Sequence, residues 1–339
     1  MTRQFFLLGL FLLVIYGVWY LYTPFLLPIF VASLLALATS NLNKYLEKFI
    51  RFKTLRALIM TLGLGLLFFA PIVYATNAST QIVNNFDPTV VDKIIGLKDN
   101  MHIPDSLGFA KEYIKGLDPQ EITKNIVTFA STTLKKSAGF FKDMFLILIF
   151  YFFVNLYSRE LTKFLKDILP FEKNSPFFQE ISGVMSVVFY STLLTAILEG
   201  ALFAIIVMFF GYDGLLFGIL YGFASLIPVI GGLVMWLPVS LYEYASGNIS
   251  SAIIIAIYSI VVISLIADTF IKPMIIKYVR ETITKNATKI NEIVIFFSII
   301  AGLTTYGFWG MVIGPAITTF FISLAKIYQV LLDEEKSHD

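Results

Sequence analysis

Apolar runs long enough to cross a lipid bilayer decide what this chain can fold into. A membrane-spanning helix needs about 20 consecutive, mostly apolar residues. Six stretches fit that requirement: 5–22, 24–40, 57–76, 141–157, 184–210 and 251–271. Only 14% of the 339 residues are charged, whereas about a quarter is usual in a soluble domain. The sequence therefore predicts an all-α polytopic membrane protein with about six full transmembrane helices. We expect a tight turn at Pro24 and Pro28, between the first two helices.

Two further apolar segments, 214–246 and 292–330, are too long for one helix and are interrupted by glycine and proline. Proline removes a backbone donor and glycine weakens a helix. Within a bilayer, broken backbone is tolerated only where it is buried in protein or lines a cavity. We predict that the first segment breaks at Pro228, Gly231 and Gly232. In the second, the interrupting residues are Gly302, Gly307, Gly310, Gly314 and Pro315.

Lysine and arginine in the connecting loops predict the topology, because cytoplasmic loops carry an excess of both. Loops 41–56 and 272–291 each carry five basic residues against one acid, and 158–183 is more weakly basic. All three loops, and both termini, are predicted to be cytoplasmic. Loop 272–291 then lies inside if 214–246 is a re-entrant hairpin. A pair of short spanning helices would place it on the same side, so that alternative stays open.

The predicted organisation has four parts. Transmembrane helices occupy 1–76, an exported helical region 77–140, the transport core 141–330, and a cytoplasmic tail 331–339. Apolar residues at four-residue spacing in the exported region predict two or three amphipathic helices there. Paired interrupted segments in corresponding halves are typical of inverted-repeat transporters. We therefore predict two hairpins in an inverted repeat, with glycine-rich packing alone as the alternative.

Two acids inside predicted spans are candidate ion sites. Glu199 lies near the centre of 184–210, where an acid costs roughly 2.5 kcal/mol or more on insertion scales and needs a partner, a proton or a cavity. It is either a proton or cation site or a hydrogen-bonded acid that holds two helices together. Asp268 precedes Lys272 by one helical turn, so an interfacial ion pair is as reasonable as a functional role. For Glu243, near a hairpin end, we expect interfacial solvation.

The helix breaks are candidate solute sites in themselves. Helix ends inside a membrane expose backbone groups that can bind a polar solute, although packing and kinking would also explain the glycines and prolines. Together with Glu199 and Asp268, the predicted solute and ion pathway contains Ser225, Pro228, Gly231, Gly232, Thr304, Thr305, Gly314 and Pro315.

Catalytic, metal and nucleic-acid functions find no support in the sequence. The chain contains no cysteine, and its two histidines, His102 and His338, lie outside the predicted spans. It has no phosphate-binding loop and no metal-ligand spacing. A net charge of +2 is too small to indicate nucleic-acid binding. We therefore predict no enzymatic activity, no cofactor and no bound metal.

Three segments carry a resemblance to a known family. The residues IPVIGGLVMWLPVSLYEYASGN at 227–248, ADTFIKPMIIKYV at 267–279, and Gly302 with GFWGMVIGPAITT at 307–319 resemble the autoinducer-2 exporter family of bacterial membrane proteins. The resemblance implies a bacterial inner-membrane protein. The family is named for export of a quorum-sensing furanone, and cation/proton antiport has been assigned to some members. Asn291-Glu292 departs from the pattern, since many members have His-Pro there.

These observations predict a transporter that exports a small polar solute by alternating access, with proton or sodium coupling through Glu199 if it is coupled. We also expect a homo-oligomer, because the Phe-rich surface offers helix-packing faces. One alternative is a monovalent cation/proton antiporter without an organic substrate. Another is a membrane scaffold whose exported region 77–140 binds a partner.

Overall fold

Helices account for every regular element in the part of the chain that the structure describes. The structure is a computed structural model, and it describes residues 2–84, 139–168, 177–227, 231–283 and 291–338. The chain divides into two units. The first contains 1–65, 140–186 and 286–339; the second contains 66–139 and 187–285.

The first unit is built from the N-terminal helices, the helices after the undescribed residues 85–138, and the C-terminal pair. Its helices are α1 (Thr2–Ala38), α2 (Ser40–Glu47), the first part of α3 (Lys53–Asn84), α4 (Gly139–Leu156), α5 (Ser158–Ile168), the first part of α6 (Phe177–Met208), α11 (Glu292–Tyr306) and α12 (Gly310–His338). Hydroxyl groups join α1 to its neighbours: Thr39, at the α1–α2 junction, bonds Tyr151 of α4 at 2.7 Å. Ser186 of α6 donates to the Ala38 carbonyl at 2.6 Å.

The second unit contains the remainder of α3 and α6 and the helices that follow them. These are α7 (Gly214–Ala224), α8 (Gly231–Ala245), α9 (Ile249–Tyr258), a π-helical segment (Ser259–Ile271) and α10 (Lys272–Ile283). Phe203 and Val207 of α6, Tyr221 of α7 and Ile255 of α9 are among the buried side chains that form its core. Asp213 caps α7 by accepting a hydrogen bond from the Leu216 amide at 3.0 Å, as expected of an N-terminal aspartate.

Within the described residues, six helical stretches are long and apolar enough to cross a membrane, which confirms an all-helical protein of that class. They are Gln4–Ala38, Lys53–Tyr74, Gly139–Leu156, Ile181–Met208, Ile249–Thr282 and Ile293–Ala325.

The spans do not match the predicted set everywhere. The tight turn predicted at Pro24 and Pro28 is wrong, because α1 is continuous through both. A membrane helix tolerates proline where neighbouring groups satisfy the freed carbonyls. The predicted spans 5–22 and 24–40 are therefore one helix.

The first interrupted segment forms two short helices, as predicted. α7 ends at Ala224, a turn follows in which the Ile227 amide donates to the Ala224 carbonyl at 2.9 Å, and α8 begins at Gly231. Residues 228–230, and with them the predicted site residue Pro228, lie outside the described residues. α7 has 11 residues and α8 has 15. At 1.5 Å per residue, they extend only about 17 and 23 Å, less than the roughly 30 Å hydrocarbon core.

The second interrupted segment is a helix–turn–helix pair. α11 ends at Tyr306, and Gly307 has a φ of +63°, a conformation that favours glycine. The short 3₁₀ helix Gly307–Trp309 leads into α12. Of the five predicted interruptions, Gly307 lies at the break and Gly310 begins α12.

The other three predicted interruptions, Gly302, Gly314 and Pro315, lie inside helices. The two glycines allow α11 to pack closely on α12. A methyl group on Gly302 would overlap the Gly310 carbonyl oxygen, and one on Gly314 would overlap the Ser298 carbonyl oxygen.

Candidate functional site

The close contact of α6 with α7 positions Glu199. Gly200, the next residue on α6, faces Gly218 of α7, where an added methyl carbon would lie 2.8 Å from the Gly200 carbonyl oxygen. A methyl carbon added to Gly222 of α7 would likewise lie 2.8 Å from the Ala196 carbonyl oxygen of α6. Small residues allow such close approach of membrane helices. Glu199 is only 4% exposed as a result.

An ammonium group from the chain faces the buried carboxylate. Lys272 Nζ lies 3.7 Å from Glu199 Oε1 and 3.1 Å from Asp268 Oδ1. The ion pair between Asp268 and Lys272, one of the two alternatives expected for Asp268, is therefore present. In contrast, Glu199 Oε1 accepts no hydrogen bond within the described part of the chain. The Asp268 and Lys272 side chains, by contrast with Glu199, are partly exposed, at 43% and 42%.

The interrupted helix adds two hydroxyl groups next to these charges. Ser225 directly follows α7, and its side chain interacts with the Glu199 carboxyl. Its hydroxyl also donates to the Gly222 carbonyl at 3.0 Å. Tyr221 is 1% exposed and lies within electrostatic range of both acids. We call the set of Glu199, Asp268, Lys272, Ser225 and Tyr221 the Glu199 cluster.

Two glycines hold the start of α8 against this cluster. A methyl carbon on Gly232 would lie 2.5 Å from the Tyr221 hydroxyl oxygen, and one on Gly231 would overlap the Ala224 carbonyl. The structure therefore brings five of the predicted site residues together in the second unit. These are Glu199, Asp268, Ser225, Gly231 and Gly232.

Chemically, the cluster is suited to a small cation. It combines two carboxylates with two hydroxyl groups, and hard cations prefer such oxygen ligands. Among the described residues, no group of three or more acids or histidines is arranged to hold a metal ion.

The remaining predicted site residues lie on the α11–α12 pair in the first unit. Thr304 and Thr305 are exposed near the end of α11, and their hydroxyls donate to the Ala301 carbonyl of the same helix at 2.9 and 2.8 Å. Gly314 packs on α11. Pro315 is buried, and its carbonyl accepts a hydrogen bond from Thr319 at 2.6 Å.

Comparison with known proteins gives the family. The family model described as "AI-2E family transporter" matches residues 8–329 of the chain. The chain belongs to the AI-2E transporter family. A Helicobacter pylori (strain ATCC 700392 / 26695) protein named "Putative transport protein" is 34% identical over 337 residues, covering 97% of each chain. A protein of the same name from Aquifex aeolicus (strain VF5) is 24% identical over 270 residues, covering 75% of this chain and 70% of its own.

Family membership makes this protein a multi-pass membrane transporter rather than an enzyme, with a bilayer and a transported solute as its partners. The Glu199 cluster lies inside the matched region. Two of its members, Lys272 and Tyr221, were not among the predicted site residues. The sequence did pair Lys272 with Asp268, one helical turn away, but not with Glu199. No sequence signal connects Tyr221 with Glu199.

A second buried acid of this AI-2E transporter was also missed. The expected interfacial solvation of Glu243 is wrong, because the residue is 6% exposed and accepts a hydrogen bond from the Tyr212 hydroxyl. Burial, followed by the hydrogen bond and charge of Glu243, raises the pKa of Tyr212 well above its usual value. The phenol therefore stays protonated and continues to donate. Tyr212 lies in the turn between α6 and α7 and Glu243 lies in α8, and nothing in the sequence indicated that they pair.

Proposed function

We propose that this AI-2E transporter exports a small polar solute by alternating access, coupled to protons or sodium through Glu199. The observation that carries the proposal is a carboxylate that is 4% exposed, stands beside a helix break and has an ammonium group 3.7 Å away. An ionisable residue within a membrane span is costly, which makes a functional role the default hypothesis. Asp268 and Ser225 would share the ion site with Glu199.

The solute would bind at the interrupted helices. Gly231 and Gly232, with the undescribed Pro228, would offer backbone groups in the second unit. Thr304, Thr305, Gly314 and Pro315 would do so in the first. Neither α7 nor α8 is long enough to span the hydrocarbon core alone, which supports a re-entrant hairpin. Two such hairpins in an inverted repeat would suit an alternating-access transporter.

The proposed setting is a bacterial inner membrane with both termini in the cytoplasm, because the basic loops then lie on the cytoplasmic side. Region 77–140 would be exported. Many large apolar side chains are exposed, among them Phe5, Phe11 and Trp19 of α1. Most would contact lipid, and some would pack against another copy in a homo-oligomer. A role in quorum sensing would follow if the solute is the furanone of the family name.

One observation favours a second candidate, a monovalent cation/proton antiporter without an organic solute. The charged groups of the Glu199 cluster are two carboxylates and an ammonium, an arrangement suited to exchanging one cation for another. A scaffold that does not transport remains the third candidate, in which changes in region 77–140, and not in Glu199, would alter function.

The test is flux into proteoliposomes under imposed proton and sodium gradients, with the labelled furanone and ²²Na⁺ as probes. We expect Glu199→Gln to reduce gradient-driven flux to background. Glu281→Gln, the same change at an exposed acid on α10, should leave it unchanged. Furanone flux would identify the exporter and sodium flux alone the antiporter. Equal flux in the intact chain and Glu199→Gln would reject the role of Glu199. If neither probe is transported, both transport functions are rejected and the scaffold is the remaining candidate.

A further inference from the structure

Lys272 touches its two acids unequally. Its distance of 3.1 Å to Asp268 Oδ1 is that of a hydrogen bond, whereas 3.7 Å to Glu199 Oε1 exceeds hydrogen-bonding length. The ammonium therefore offsets the charge of Glu199 without satisfying its oxygen. That oxygen is buried and accepts no hydrogen bond from any residue that the structure describes. A polar atom in this state is prepared for a ligand that approaches more closely than the lysine does.

The lysine is also free to leave this position. Its ammonium is a compact charge on a flexible four-carbon stem, and its side chain is 42% exposed, so part of it already lies outside the protein interior. Glu199, by contrast, is fixed on α6 by the close contact of Gly200 with α7. Glu199 is therefore held in place, whereas Lys272 can move.

We propose that Lys272 is a tethered competitor, whose ammonium occupies the place that a monovalent metal cation takes between Glu199 and Asp268. Binding of the cation displaces Lys272, and its return favours release. Exchange of one unit charge for another keeps the local charge constant, which avoids leaving an uncompensated carboxylate in a buried site. A divalent cation would not keep that balance, because it carries one more unit of charge than the ammonium that it displaces.

This inference rests on the proposed function and specifies its ion as a monovalent metal cation. A competitor that fills a site lowers the apparent affinity of that site for the cation, in proportion to the fraction of time that the site is free. If Lys272 occupies the position nine-tenths of the time, removing its charge should tighten cation binding about tenfold.

The test measures cation binding to the purified full chain in detergent. The thermal unfolding midpoint is recorded as Na⁺, Li⁺ or K⁺ replaces choline at constant pH and ionic strength, which gives a half-saturating concentration for each cation. We expect Lys272→Gln to lower that concentration about tenfold relative to the intact chain. Lys277→Gln is the matched control, since Lys277 lies on the same helix and pairs with Glu281, also four residues away. It should behave like the intact chain.

Two further variants keep the outcome interpretable. Lys272→Arg retains the positive charge, so its half-saturating concentration should not fall, and Glu199→Gln should abolish the cation effect. Equal half-saturating concentrations for Lys272→Gln and the intact chain would overturn the proposal that Lys272 is a competitor. So would equal values for Lys272→Gln and Lys272→Arg, no stabilisation in any variant, or stabilisation by Ca²⁺ alone. Flux that is sensitive to Glu199→Gln but indifferent to Lys272→Gln would leave the proposed function intact and reject only this inference.

Discussion

Two buried glutamates of this protein are stabilised in different ways. Glu243 accepts a hydrogen bond from Tyr212, so its carboxylate has a neutral, fixed partner. Glu199 faces an ammonium that lies beyond hydrogen-bonding distance and is itself half-exposed. A buried acid with a fixed hydrogen-bond donor stabilises the fold. A buried acid with a movable partner can exchange that partner for another cation. The two residues should therefore respond differently to mutation.

Removing the Tyr212 hydroxyl should reduce stability. Tyr212→Phe leaves a buried carboxylate oxygen without its donor, which typically costs about 1–3 kcal/mol. The measurement is the thermal unfolding midpoint in detergent, with Tyr278→Phe, at a 66% exposed residue, as the control. An unchanged midpoint for Tyr212→Phe would show that the hydrogen bond contributes nothing.

The pH dependence of this difference follows from the pKa of Tyr212. Because that pKa is raised above the ordinary value of 10.0, the contribution is fully present below pH 10 and is lost only as pH rises through the folded-state pKa. The destabilisation by Tyr212→Phe should therefore be constant across neutral pH. A difference that disappears near neutral pH would contradict the assigned protonation.

At the scale of helices, glycine pairs determine which elements pack closely. Gly200 and Gly218 join α6 to α7, and Gly302 and Gly310 join α11 to α12. From the sequence, a glycine in an apolar segment signals either a weak point in the helix or a close approach. The choice depends on which face meets a neighbour, and that is a property of tertiary structure. The sequence therefore predicted the two interrupted segments, but some of the residues predicted to interrupt them lie inside helices.

A methyl group at Gly302 should weaken the α11–α12 pair. It would overlap the Gly310 carbonyl, and overpacking of this kind typically costs about 1–3 kcal/mol. Gly63→Ala in α3 is the matched control, because an added methyl carbon there has no atom within 4 Å. Thermal unfolding should show a lower midpoint for Gly302→Ala than for Gly63→Ala. Equal midpoints would mean that α11 can shift away at little cost.

The π-helical segment had no counterpart in the prediction. It covers Ser259–Ile271 and carries Asp268 towards Lys272 at the start of α10. Propensity scales rank residues for the α-helix, and nothing in the apolar run 251–271 separates one helical register from another. π-helical turns are frequent at functional sites. The positions of Asp268 and Lys272 thus depend on a backbone feature that only the structure provides.

For the whole molecule, the sequence predicted the membrane class and three of the five members of the Glu199 cluster. Hydropathy is read along the chain, and lipid requires helices wherever apolar runs are long enough, so the membrane class followed directly. The position of Glu199 in mid-span also identified it as a candidate. The approach of Lys272 and Tyr221 to Glu199 did not follow, because both lie on other helices and their approach depends on packing.

The proposed topology leads to a last prediction, for which the absence of cysteine is an advantage. Single cysteines can be introduced in intact cells and labelled with a membrane-impermeant maleimide. Ser246→Cys, exposed in the turn after α8, should be labelled from outside, and Lys48→Cys only after permeabilisation. Ile227→Cys, in the turn between α7 and α8, separates the two arrangements. A re-entrant hairpin buries this turn within the membrane, so labelling should be slow from either side. Labelling from the cytoplasm as complete as that of Lys48→Cys would instead establish a pair of short spanning helices.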